Sequence, residues 1–525
     1  MIKYTALVLL PEEAADMQTV KLFFSKQEGL PFQDITGIKI RKRSIDARSH
    51  LVKIRLEVIA FIGEPFPAFT TTQRSFKNVS NATTVHIIGS GPAGLFAALK
   101  LIESGLKPLI IERGKDVRSR RRDLVSINKN GLVNPDSNYC FGEGGAGTYS
   151  DGKLYTRSGK RAHIDRILET FVQFGADPDI MVDAHPHIGT NKLPAIITAF
   201  REQIIQCGGE IHFNTRLSGI KYDSTGVKKI ILNTIDSSDK ETTLNCSRLI
   251  LATGHSARDV FELLQNENIY IEAKPFALGI RIEHQQSLID KIQYHNTKRN
   301  ELLSAASYSL VHQSGTKGVY SFCMCPGGII APAATSPGEI VVNGWSPSKR
   351  NNPFANSGIV VNVDETDFKP FAESGSLAGL DFQSSIEKIA FQKGGGQLQA
   401  PAQRMLDFIN KKTSATLPIT SYIPGVQSVQ LDEVLTPSIA TALRDGLTAF
   451  GKKMKGYLTN EAVLVGVESR TSSPVRIPRD KETLMHPQVK GLFPSAEGAG
   501  YAGGIVSAAI DGERVADALV RFINS

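Results

Sequence analysis

Alternating and helical patterns of apolar residues predict a small α+β module at the start of the chain. Residues 4–10, 38–42 and 52–58 read as half-buried strands, whereas residues 12–27 carry apolar side chains at helical spacing. This β-α-β-β order is typical of a ferredoxin-like or related sandwich. The Pro-, Gly- and Thr-containing segment 63–72 is expected to be a linker.

From residue 84 the pattern becomes that of a nucleotide-binding unit. An apolar strand over 85–88 runs into the glycine turn Gly89-Ser90-Gly91-Pro92-Ala93-Gly94, and a helix over 95–103 follows. A second strand over 108–111 ends in Glu112. Strand, glycine turn, helix, strand and terminal acid within about 30 residues form a βαβ unit that binds a dinucleotide.

Each glycine of the turn, and the acid at the end of the second strand, has a physical role in such a unit. Gly89 permits the tight turn, Gly91 lets the backbone approach a pyrophosphate, and Gly94 lets the helix pack closely on the strand. Glu112 is suited to the adenosine ribose hydroxyls, and its charge disfavours the 2′-phosphate of NADP at this site. The residues predicted to contact the dinucleotide here are Gly89, Gly91, Pro92, Ala93, Gly94, Glu112 and Arg113.

Two later segments indicate which dinucleotide to expect. A strand over 248–251 leads into Ala252-Thr253-Gly254-His255, and a strand after residue 491 ends in Glu497-Gly498 before a helix over 505–523. This order resembles flavoproteins of the glutathione-reductase-like class, and the resemblance implies FAD. It also implies that Glu497 binds the ribityl hydroxyls and that the helix start at Gly504–Ile505 faces the flavin O2, where its dipole favours an anionic reduced flavin.

Four longer motifs occupy residues 142–154, 322–328, 468–476 and 497–504. They resemble motifs of the bacterial FAD-utilising dehydrogenase family. The resemblance implies an α/β fold: a glutathione-reductase-like, Rossmann-type FAD-binding domain with an inserted mixed α+β capping domain. The expected divisions are an N-terminal module over 1–80, the first part of the FAD domain over 84–270, the capping domain over 271–460 and the C-terminal return over 461–525. A helix over 193–207 followed by strands over 210–213 and 217–222 is expected to form the next step of the FAD domain. The capping region is expected to hold strands over 277–283, 340–342 and 359–363 and helices over 386–392, 402–410 and 437–453.

The motif over 142–154 is rich in glycine and is expected to offer backbone N–H groups to the FAD pyrophosphate. Lys153 at its end would lie near the flavin ring and tune its potential, and the backbone at Leu217 would face the adenine by resemblance. The further residues predicted to contact FAD are Gly145, Ala146, Gly147, Thr148, Ser150, Leu217, Ala252, Thr253, Gly254, Glu497, Gly498, Gly504 and Ile505.

Four residues are candidates for catalysis, namely Lys153, His255, Cys323 and Cys325. His255 has a pKa range suited to proton transfer, although a structural role at a helix start is the alternative. On a regular strand, thiols two residues apart stand too far apart for a disulfide. A redox pair, a single thiol lining the site and simple packing therefore all remain open for Cys323 and Cys325.

Other polar residues receive plainer interpretations. His185 and His187 lack further ligands at metal-binding spacing, so no metal site is predicted. The arginines over 118–122 are expected to form a solvated helix face. Those over 470–479, beside Glu468, are expected either to hold an anionic group or to tie domains together.

Composition restricts the setting more than the chemistry. The chain has 525 residues, a net charge of +8 and five cysteines, too few for a secreted disulfide framework. Without an uninterrupted apolar stretch long enough to span a bilayer, a soluble cytoplasmic protein with no membrane partner is expected. The basic residues over 39–55 are expected to be solvated, with contact to an anionic partner or to the flavin domain as the alternative.

The sequence thus predicts a FAD-dependent oxidoreductase that transfers hydride at flavin N5 to or from a small organic molecule. Transiently bound NADH or NADPH, the substrate itself and a protein donor are all open as electron sources. Two alternatives are an RNA-acting flavoprotein of the tRNA-modifying type, weakly favoured by the charge, and a FAD-binding protein without turnover.

Overall fold

The computed structural model describes residues 1–67, 72–156, 161–235 and 240–524. The linker predicted over 63–72 lies partly outside these residues. In the described part of the chain, no helix has the length and apolar character needed to cross a membrane. The helices are α1 Pro11–Ala15, α2 Met17–Glu28, α3 Pro92–Glu103, α4 Val117–Asn130, α5 Arg161–Gln173, α6 Leu193–Gln206, α7 Arg258–Asn266, α8 Gln286–Tyr294, α9 Ala378–Lys393, α10 Met405–Ile409, α11 Pro437–Lys453 and α12 Ile505–Asn524.

Within the described ranges, the strands form one large parallel sheet, one large mixed sheet and four small antiparallel sheets. In chain order they are β1 Ile2–Leu9, β2 Ile35–Asp46, β3 Lys53–Ile62, β4 Thr84–Ile88, β5 Lys107–Ile111, β6 Glu210–His212, β7 Thr215–Asp223, β8 Gly226–Thr234, β9 Glu241–Asn245, β10 Leu249–Leu251, β11 Glu272–Ala273, β12 Phe276–Gln285, β13 Val311–Ser314, β14 Lys317–Cys325, β15 Ile329–Pro332, β16 Val342–Trp345, β17 Phe354–Val363, β18 Ala400–Arg404, β19 Val426–Ser428, β20 Val463–Glu468, β21 Val475–Arg476 and β22 Leu492–Pro494.

The N-terminal strands form a three-stranded antiparallel sheet in the order β1-β3-β2. The single helix predicted over 12–27 is wrong, because the chain breaks at Asp16 into α1 and α2. Asp16 caps α2 by accepting hydrogen bonds from the N–H groups of Gln18 and Thr19. An Asp that caps the following helix ends the preceding one, and periodicity alone does not reveal it.

The N-terminal sheet is joined to the neighbouring part of the chain through Arg43 on β2. Its backbone N–H donates to Val182 O at 2.8 Å, and its side chain forms salt bridges with Asp179 and Asp183. Arg43 is therefore not simply solvated, because it joins β2 to residues 179–183.

The nucleotide-binding pattern folds into a five-stranded parallel sheet in the order β22-β10-β4-β5-β6. The first strand, β4, is central, and the chain moves outward on one side before it crosses to the other. This is the strand order of a Rossmann-type sheet, with a switch point beside β4. Helices α3 and α12 pack against each other, and both carry buried apolar residues along most of their length.

The predicted strand over 217–222 is not part of this sheet, contrary to its interpretation as the next step of the FAD domain. It belongs to β7, which forms a separate antiparallel sheet with β8 and β9. The separation has a local cause, because β7 is followed after a turn by β8 and pairs with it as a hairpin.

The region between β10 and β22 is built on a seven-stranded sheet in the order β13-β14-β17-β12-β20-β18-β19. Its central strands β12, β17 and β20 are buried over nearly their whole length. The helix predicted over 402–410 is wrong in its first half: residues 400–404 form β18 beside β20, and only α10 is helical. The strand predicted over 340–342 lies further along the chain, as β16.

Candidate functional site

A cavity of about 300 Å³ opens at the carboxyl ends of β4, β5 and β10, beside the switch point of the parallel sheet. Ligands of such sheets bind at this place. The cavity also reaches the seven-stranded sheet at Phe322 and Glu468. The predicted site residues that line it are Gly89, Gly91, Pro92, Ala93, Glu112, Arg113, Gly145, Ala146, Gly147, Ser150, Lys153, Leu217, Ala252, Thr253, Gly254, His255, Cys323, Glu497, Gly504 and Ile505.

Four predicted site residues lie behind the cavity wall instead. Thr148 is buried, and its hydroxyl donates to the Glu143 carbonyl at 2.7 Å. Gly498 packs its backbone against Gly254, and Cys325 is fully buried beneath Cys323. Gly94 lies in α3 where a Cβ would overlap the Gly89 carbonyl oxygen, so its role is the close packing of helix on strand.

The N-terminus of α3 lies at the cavity without a side-chain cap and is surrounded by glycine residues. Gly91 caps α3 without any side-chain hydrogen bond, and Pro92 occupies the first turn. A Cβ on Gly145, which has φ +60°, would lie 3.1 Å from the Gly91 Cα atom. Two glycine backbones thus approach each other at the N-terminus of a helix, which is an arrangement suited to a phosphate group.

Glu112 is more fully engaged than the sequence suggests. One oxygen accepts from the Ser90 N–H and hydroxyl, at 2.9 and 2.8 Å, and the other accepts from the N–H groups of Gly114 and Gly142, at 2.9 and 3.0 Å. These four donors fill the carboxylate's usual acceptor positions. Glu112 therefore ties the glycine turn to two neighbouring loops, and a ribose hydroxyl would have to share or replace one of these donors.

Arg120 packs beneath the surface and holds the glycine-rich loop and the residues before it. The prediction that Arg120 belongs to a solvated helix face is therefore wrong. Its side chain is fully buried, and its three nitrogens donate to the carbonyl oxygens of Asn138, Tyr139 and Glu143 at 2.8 to 2.9 Å. A guanidinium can saturate three backbone carbonyls at once, and this lets a loop with few regular hydrogen bonds stay in place.

Glu143 in the same loop is also fully buried. One oxygen accepts from the Val117 N–H and from Arg201, whereas the other, Oε1, has no hydrogen-bond partner among the described residues. Burial raises the pKa of Glu143 to about 7, against the opposing effect of these donors. In its ionised form, the Glu143 carboxylate therefore destabilises the folded loop.

We expect Glu143 to make stability depend on pH. Its pKa is 4.5 ordinarily and about 7 in the folded state, so between these values the folded state binds more protons and stability falls as pH rises. Replacing Glu143 with Gln should flatten this dependence, measured as the difference between thermal midpoints at about pH 5 and about pH 7. Glu57→Gln, at an exposed position, serves as the control; an unchanged pH dependence in Glu143→Gln would contradict the assignment.

Two thiols and an ammonium group meet at the other end of the cavity. Lys153 Nζ lies 3.7 Å from Cys323 Sγ and 3.8 Å from Cys325 Sγ, and it donates to the Met324 carbonyl. Asp151 lies 3.8 Å from the same ammonium. About a third of the Lys153 side chain, 34%, remains exposed. The arrangement places one cation against two thiols at the cavity wall.

Strand β14 is irregular at this point, which overturns the assumption of regular strand geometry. Cys323 has φ +46°, and the pairing of β14 with β17 shifts between Phe322 and Cys325. Both thiols are free, and the Cys325 thiol points to the Cys323 carbonyl at 3.3 Å. The bulge turns Cys323 toward the cavity and leaves Cys325 behind it.

The electrostatic environment separates the two thiols. The interaction with Cys325 and the nearby Lys153 and Arg281 together hold the pKa of Cys323 well below its ordinary value, against the effect of burial. The interaction with Cys323 and burial raise the pKa of Cys325. Cys323, at the cavity wall, is therefore the thiolate of the pair, and Cys325 keeps its proton.

We expect Cys323 of the FAD-free protein to react rapidly with iodoacetamide near neutral pH, because thiolates are the reactive form. Lys153→Met should slow alkylation of Cys323 by about tenfold, the effect of a one-unit rise in the pKa of the thiol. Peptide mass spectrometry gives the rate at each cysteine. Lys349→Met, an exposed neighbour of the site, should leave the rate unchanged; equal rates in all three proteins would contradict a thiolate at Cys323.

Beneath the thiols lies Arg281, a residue that sequence reasoning missed. Its fully buried guanidinium donates to Glu468 Oε2 at 2.6 Å, to Asn356 Oδ1 at 2.7 Å and to the Cys323 carbonyl at 2.7 Å. Burial raises the pKa of Glu468 to about 7, although Arg281 opposes the shift. A lone Arg within the apolar run of β12 was the available signal, since a buried charge needs a partner.

His255 and the start of α12 form the remaining wall. His255 Nδ1 lies 3.3 Å from Glu497 Oε1, yet both ring nitrogens are buried without a hydrogen-bond partner among the described residues. Gly504 has φ +98°, and α12 begins at Ile505, which lines the cavity. A second helix N-terminus thus faces the cavity, beside an imidazole whose donors and acceptors are unused.

The arginines after Glu468 mainly join parts of the fold. Arg470 binds Glu339 and Glu387 at 2.9 Å each, and Arg479 forms a bidentate pair with Asp511. Of the two alternatives given by the sequence, tying elements together describes both residues. Arg470 also reaches the cavity wall, so the same network supports the site.

His185 and His187 serve as structural contacts. His185 packs edge-on against Tyr155, with ring centroids 4.8 Å apart, and His187 Nε2 lies 3.1 Å from the Ser348 carbonyl. Burial and the nearby Arg350 lower the pKa of both imidazoles. Across the described ranges, no group of three or more His, Cys, Asp or Glu is arranged to hold a metal ion.

Comparison with known proteins agrees with this geometry. Residues 83–289 match the model of pyridine nucleotide-disulphide oxidoreductases, residues 275–471 match that of a C-terminal domain of FAD-dependent proteins, and residues 1–61 match a domain of unknown function. An uncharacterised protein of Clostridium beijerinckii is 39% identical over 524 residues, covering 96% of each chain. The fold and cavity are those of a flavoprotein oxidoreductase with FAD as its cofactor.

The chain belongs to the family of FAD-dependent oxidoreductases that its motifs resemble. Solved structures are only distantly similar. A flavoprotein/dehydrogenase from Cytophaga hutchinsonii is 10% identical, with 84% of this chain and 79% of that chain covered and a TM-score of 0.35. A geranylgeranyl bacteriochlorophyll reductase-like protein from Thermoplasma acidophilum is 11% identical, with 84% and 79% covered and a TM-score of 0.34.

The cavity residues fit FAD. Two helix N-termini face the cavity, which suits a polar, anionic cofactor, and the close pair Gly91 and Gly145 leaves no side chain between the backbone and the cavity. The buried, unpartnered ring nitrogens of His255 and Oδ1 of Asp151 lie at the same cavity. Such atoms are costly to bury unless a ligand or water completes their hydrogen bonds.

Proposed function

We propose that this protein is a FAD-dependent dehydrogenase or reductase that exchanges hydride with a small organic substrate. The observation that carries the proposal is the meeting, in one cavity, of a dinucleotide-binding turn and a thiol–ammonium cluster. In this proposal residues 84–270 and 461–525 form the FAD-binding domain. Residues 271–460 cap the site, and residues 1–80 form a separate module.

The proposed binding residues divide between the two ends of the cofactor. Gly91, Gly145 and the first turn of α3 bind the pyrophosphate with backbone N–H groups. Glu112 positions the adenosine end through the loops that it ties together. Glu497 and the N-terminus of α12 bind the ribityl chain and stabilise negative charge at the flavin. Bound FAD supplies the hydride-accepting and hydride-donating chemistry.

The thiol–ammonium cluster is the proposed proton store of the site. Lys153 Nζ stays protonated, because Cys323, Cys325 and Asp151 raise the pKa of Lys153 although its burial acts against this. Cys323 Sγ is the anionic member and lies at the cavity wall. Sγ is therefore the group that can accept a proton beside the place where substrate reacts, and the ammonium group of Lys153 stabilises its negative charge. His255 is a second proton-transfer group, with both ring nitrogens unengaged.

The seven-stranded sheet is proposed to limit the access of water to this end of the cavity. Arg281 and Glu468 close the floor, and Arg470 joins the sheet to α9 through Glu387. Electrostatic interactions strengthen when water is excluded, so the Lys153–Cys323 contact is stronger here than on a surface. The electron source is proposed to be the organic substrate, transiently bound NADH or NADPH, or a protein donor.

The proposal is tested by comparing flavin reduction in matched variants once a reducing substrate is known. We expect Lys153→Met to lower the rate of anaerobic flavin reduction by about a hundredfold, the usual contribution of a positioned proton-transfer group, with FAD content unchanged. Lys349→Met should reduce at the rate of the wild type. Equal rates in the two variants would contradict a role of the thiol–ammonium cluster in the chemistry.

A further inference from the structure

A second and larger cavity, of about 1650 Å³, lies between the N-terminal sheet and the seven-stranded region. We call it the basic cleft, and the basic residues that line it are Arg43, Arg48 and Arg55 of the N-terminal module, Lys291, Arg350, Lys453 and Lys455. None of these basic residues lines the flavin cavity. Its walls come from five separate parts of the chain, namely the N-terminal module and residues 183–187, 288–310, 350 and 453–456, so tertiary folding builds it rather than a single loop.

The cleft concentrates positive charge. Seven Lys and Arg residues and only two Asp line it, a surplus of five positive charges against eight for the whole chain. Arg55, Lys291 and Lys455 are exposed and form no salt bridge with any described residue. Unpaired cations around a concave surface focus the electrostatic field and attract anions.

The cleft is also partly apolar. Ile45 and Leu302 line it with 38% and 53% of their surfaces exposed, and the side chains of Leu288, Ile292 and Leu310 contribute further apolar surface. Exposed apolar groups inside a concave, charged site favour a ligand with an apolar body and an anionic group. A highly charged, wholly polar ligand would leave this surface unused.

The cleft and the flavin cavity share a wall that is one layer of residues thick. Arg350 lines the cleft, and its Nη2 donates to Asp151 Oδ2 at 2.9 Å, whereas Asp151 lines the flavin cavity. His187 of the cleft pairs by backbone with Lys153 of the cavity. The basic cleft therefore ends at the thiol–ammonium cluster rather than at a remote surface.

Arg350 is suited to receive an anion at this wall. Its side chain is only 12% exposed, and its buried Nε has no hydrogen-bond partner among the described residues. An unpartnered guanidinium nitrogen in such a position is completed by a carboxylate or phosphate oxygen, which binds arginine in fork geometry. Asp151 keeps Lys153 as its second cation when Arg350 turns to a ligand.

We propose that the basic cleft binds the substrate of the flavin cavity, and that this substrate is an amphiphilic organic anion held by Arg350 through a carboxylate or phosphate group. The substrate reaches the thiol–ammonium cluster across the shared wall when Arg350 turns from Asp151 to the anion. The proposal rests on the proposed dehydrogenase function and adds the substrate class to it. The apolar body lies along Ile45 and Leu302, and the exposed lysines Lys291 and Lys455 attract the anion electrostatically.

The test measures binding without turnover, by titration calorimetry on the FAD-loaded protein. Decanoate and decyl phosphate probe the carboxylate and phosphate forms of the ligand, and decanol is the neutral control. We expect saturable binding of at least one anion and none of decanol. Arg350→Met should weaken binding by at least about tenfold, as expected when a charged hydrogen bond is lost. Lys349→Met should bind as the wild type does.

A second variant guards against misfolding, because Arg350→Met leaves Asp151 with one cation fewer. In Lys291→Met/Lys455→Met both changes are at exposed residues, and we expect weaker binding with a reduced dependence on salt. Binding that both variants leave unchanged would overturn the proposal, as would its absence in the wild type. Tight binding of polyuridylate that decanoate does not displace would also overturn it, in favour of a nucleic-acid surface.

The outcomes separate this proposal from the proposed function. Anion binding that depends on Arg350, together with a flavin that no donor reduces, would support the cleft and contradict the dehydrogenase. If a substrate reduces the flavin and neither Arg350→Met nor the double variant changes its KM, the dehydrogenase would be supported and the role of the cleft contradicted.

Discussion

Gly91→Glu is expected to yield a folded protein that carries no FAD. A Cβ at position 91 would meet its nearest neighbour, the Gly145 Cα atom, at 4.0 Å, and Gly91 has φ −70°, which any residue adopts. The backbone and a Cβ atom therefore fit the fold, and the added carboxylate is expected at the N-terminus of α3, where we place the pyrophosphate. Anion against anion in that position should abolish binding.

The measurement is the visible absorbance of the purified protein and its FAD content after release from the chain. Circular dichroism and the thermal midpoint of the FAD-free protein show whether the fold is kept. Gly91→Ala adds one methyl group without charge and should bind FAD more weakly than the wild type. Gly94→Ala is the contrasting variant, because its Cβ overlaps the Gly89 carbonyl and the fold itself should suffer. Normal FAD content in Gly91→Glu would contradict the placement of the pyrophosphate at the N-terminus of α3.

The largest loss of stability is expected from Arg281→Met. This change leaves the Glu468 carboxylate, 2% exposed, without its counter-ion and leaves Asn356 and the Cys323 carbonyl without a donor. Breaking a buried ion pair from one side costs about 3–5 kcal/mol in the free energy of unfolding. Urea unfolding, followed by the signal of the seven-stranded region, measures the cost.

Two further variants give this prediction its controls. Arg281→Met/Glu468→Met removes both charges and should cost less than Arg281→Met alone, because no unpaired charge remains buried. Lys42→Met breaks an exposed pair with Glu57, 48% and 52% exposed, and should change stability by less than about 1 kcal/mol. A double variant that is less stable than the single variant would contradict the account of an unpaired buried charge.

The sequence predicted best those parts whose information is local. The glycine turn over 89–94, its flanking strands and Glu112 stand in one contiguous stretch, and their order alone identified the parallel sheet and its cavity. The long helix α11 was equally clear, since its periodicity runs unbroken from Pro437 to Lys453. In these segments local propensity and tertiary packing favour the same structure.

The sequence failed where distant segments decide the structure. Residues 400–402 have no strand signal of their own, yet they form β18 because β20 and β19 pair with them. Arg120 looked like one of several surface arginines, but three carbonyls of a loop about 20 residues later enclose it. Arg281 and the bulge at Cys323 likewise depend on contacts between strands that no local pattern encodes.

We propose that this cavity is a redox site in which bound FAD exchanges electrons with an organic molecule. Anaerobic mixing of the FAD-loaded wild type with NADH, NADPH and a panel of organic acids and alcohols tests this proposal, by the loss of the visible absorbance of oxidised flavin. At least one of these donors should bleach the flavin, and oxygen should restore its absorbance. A flavin that dithionite reduces but that no donor of the panel bleaches would show that the cavity is not such a redox site.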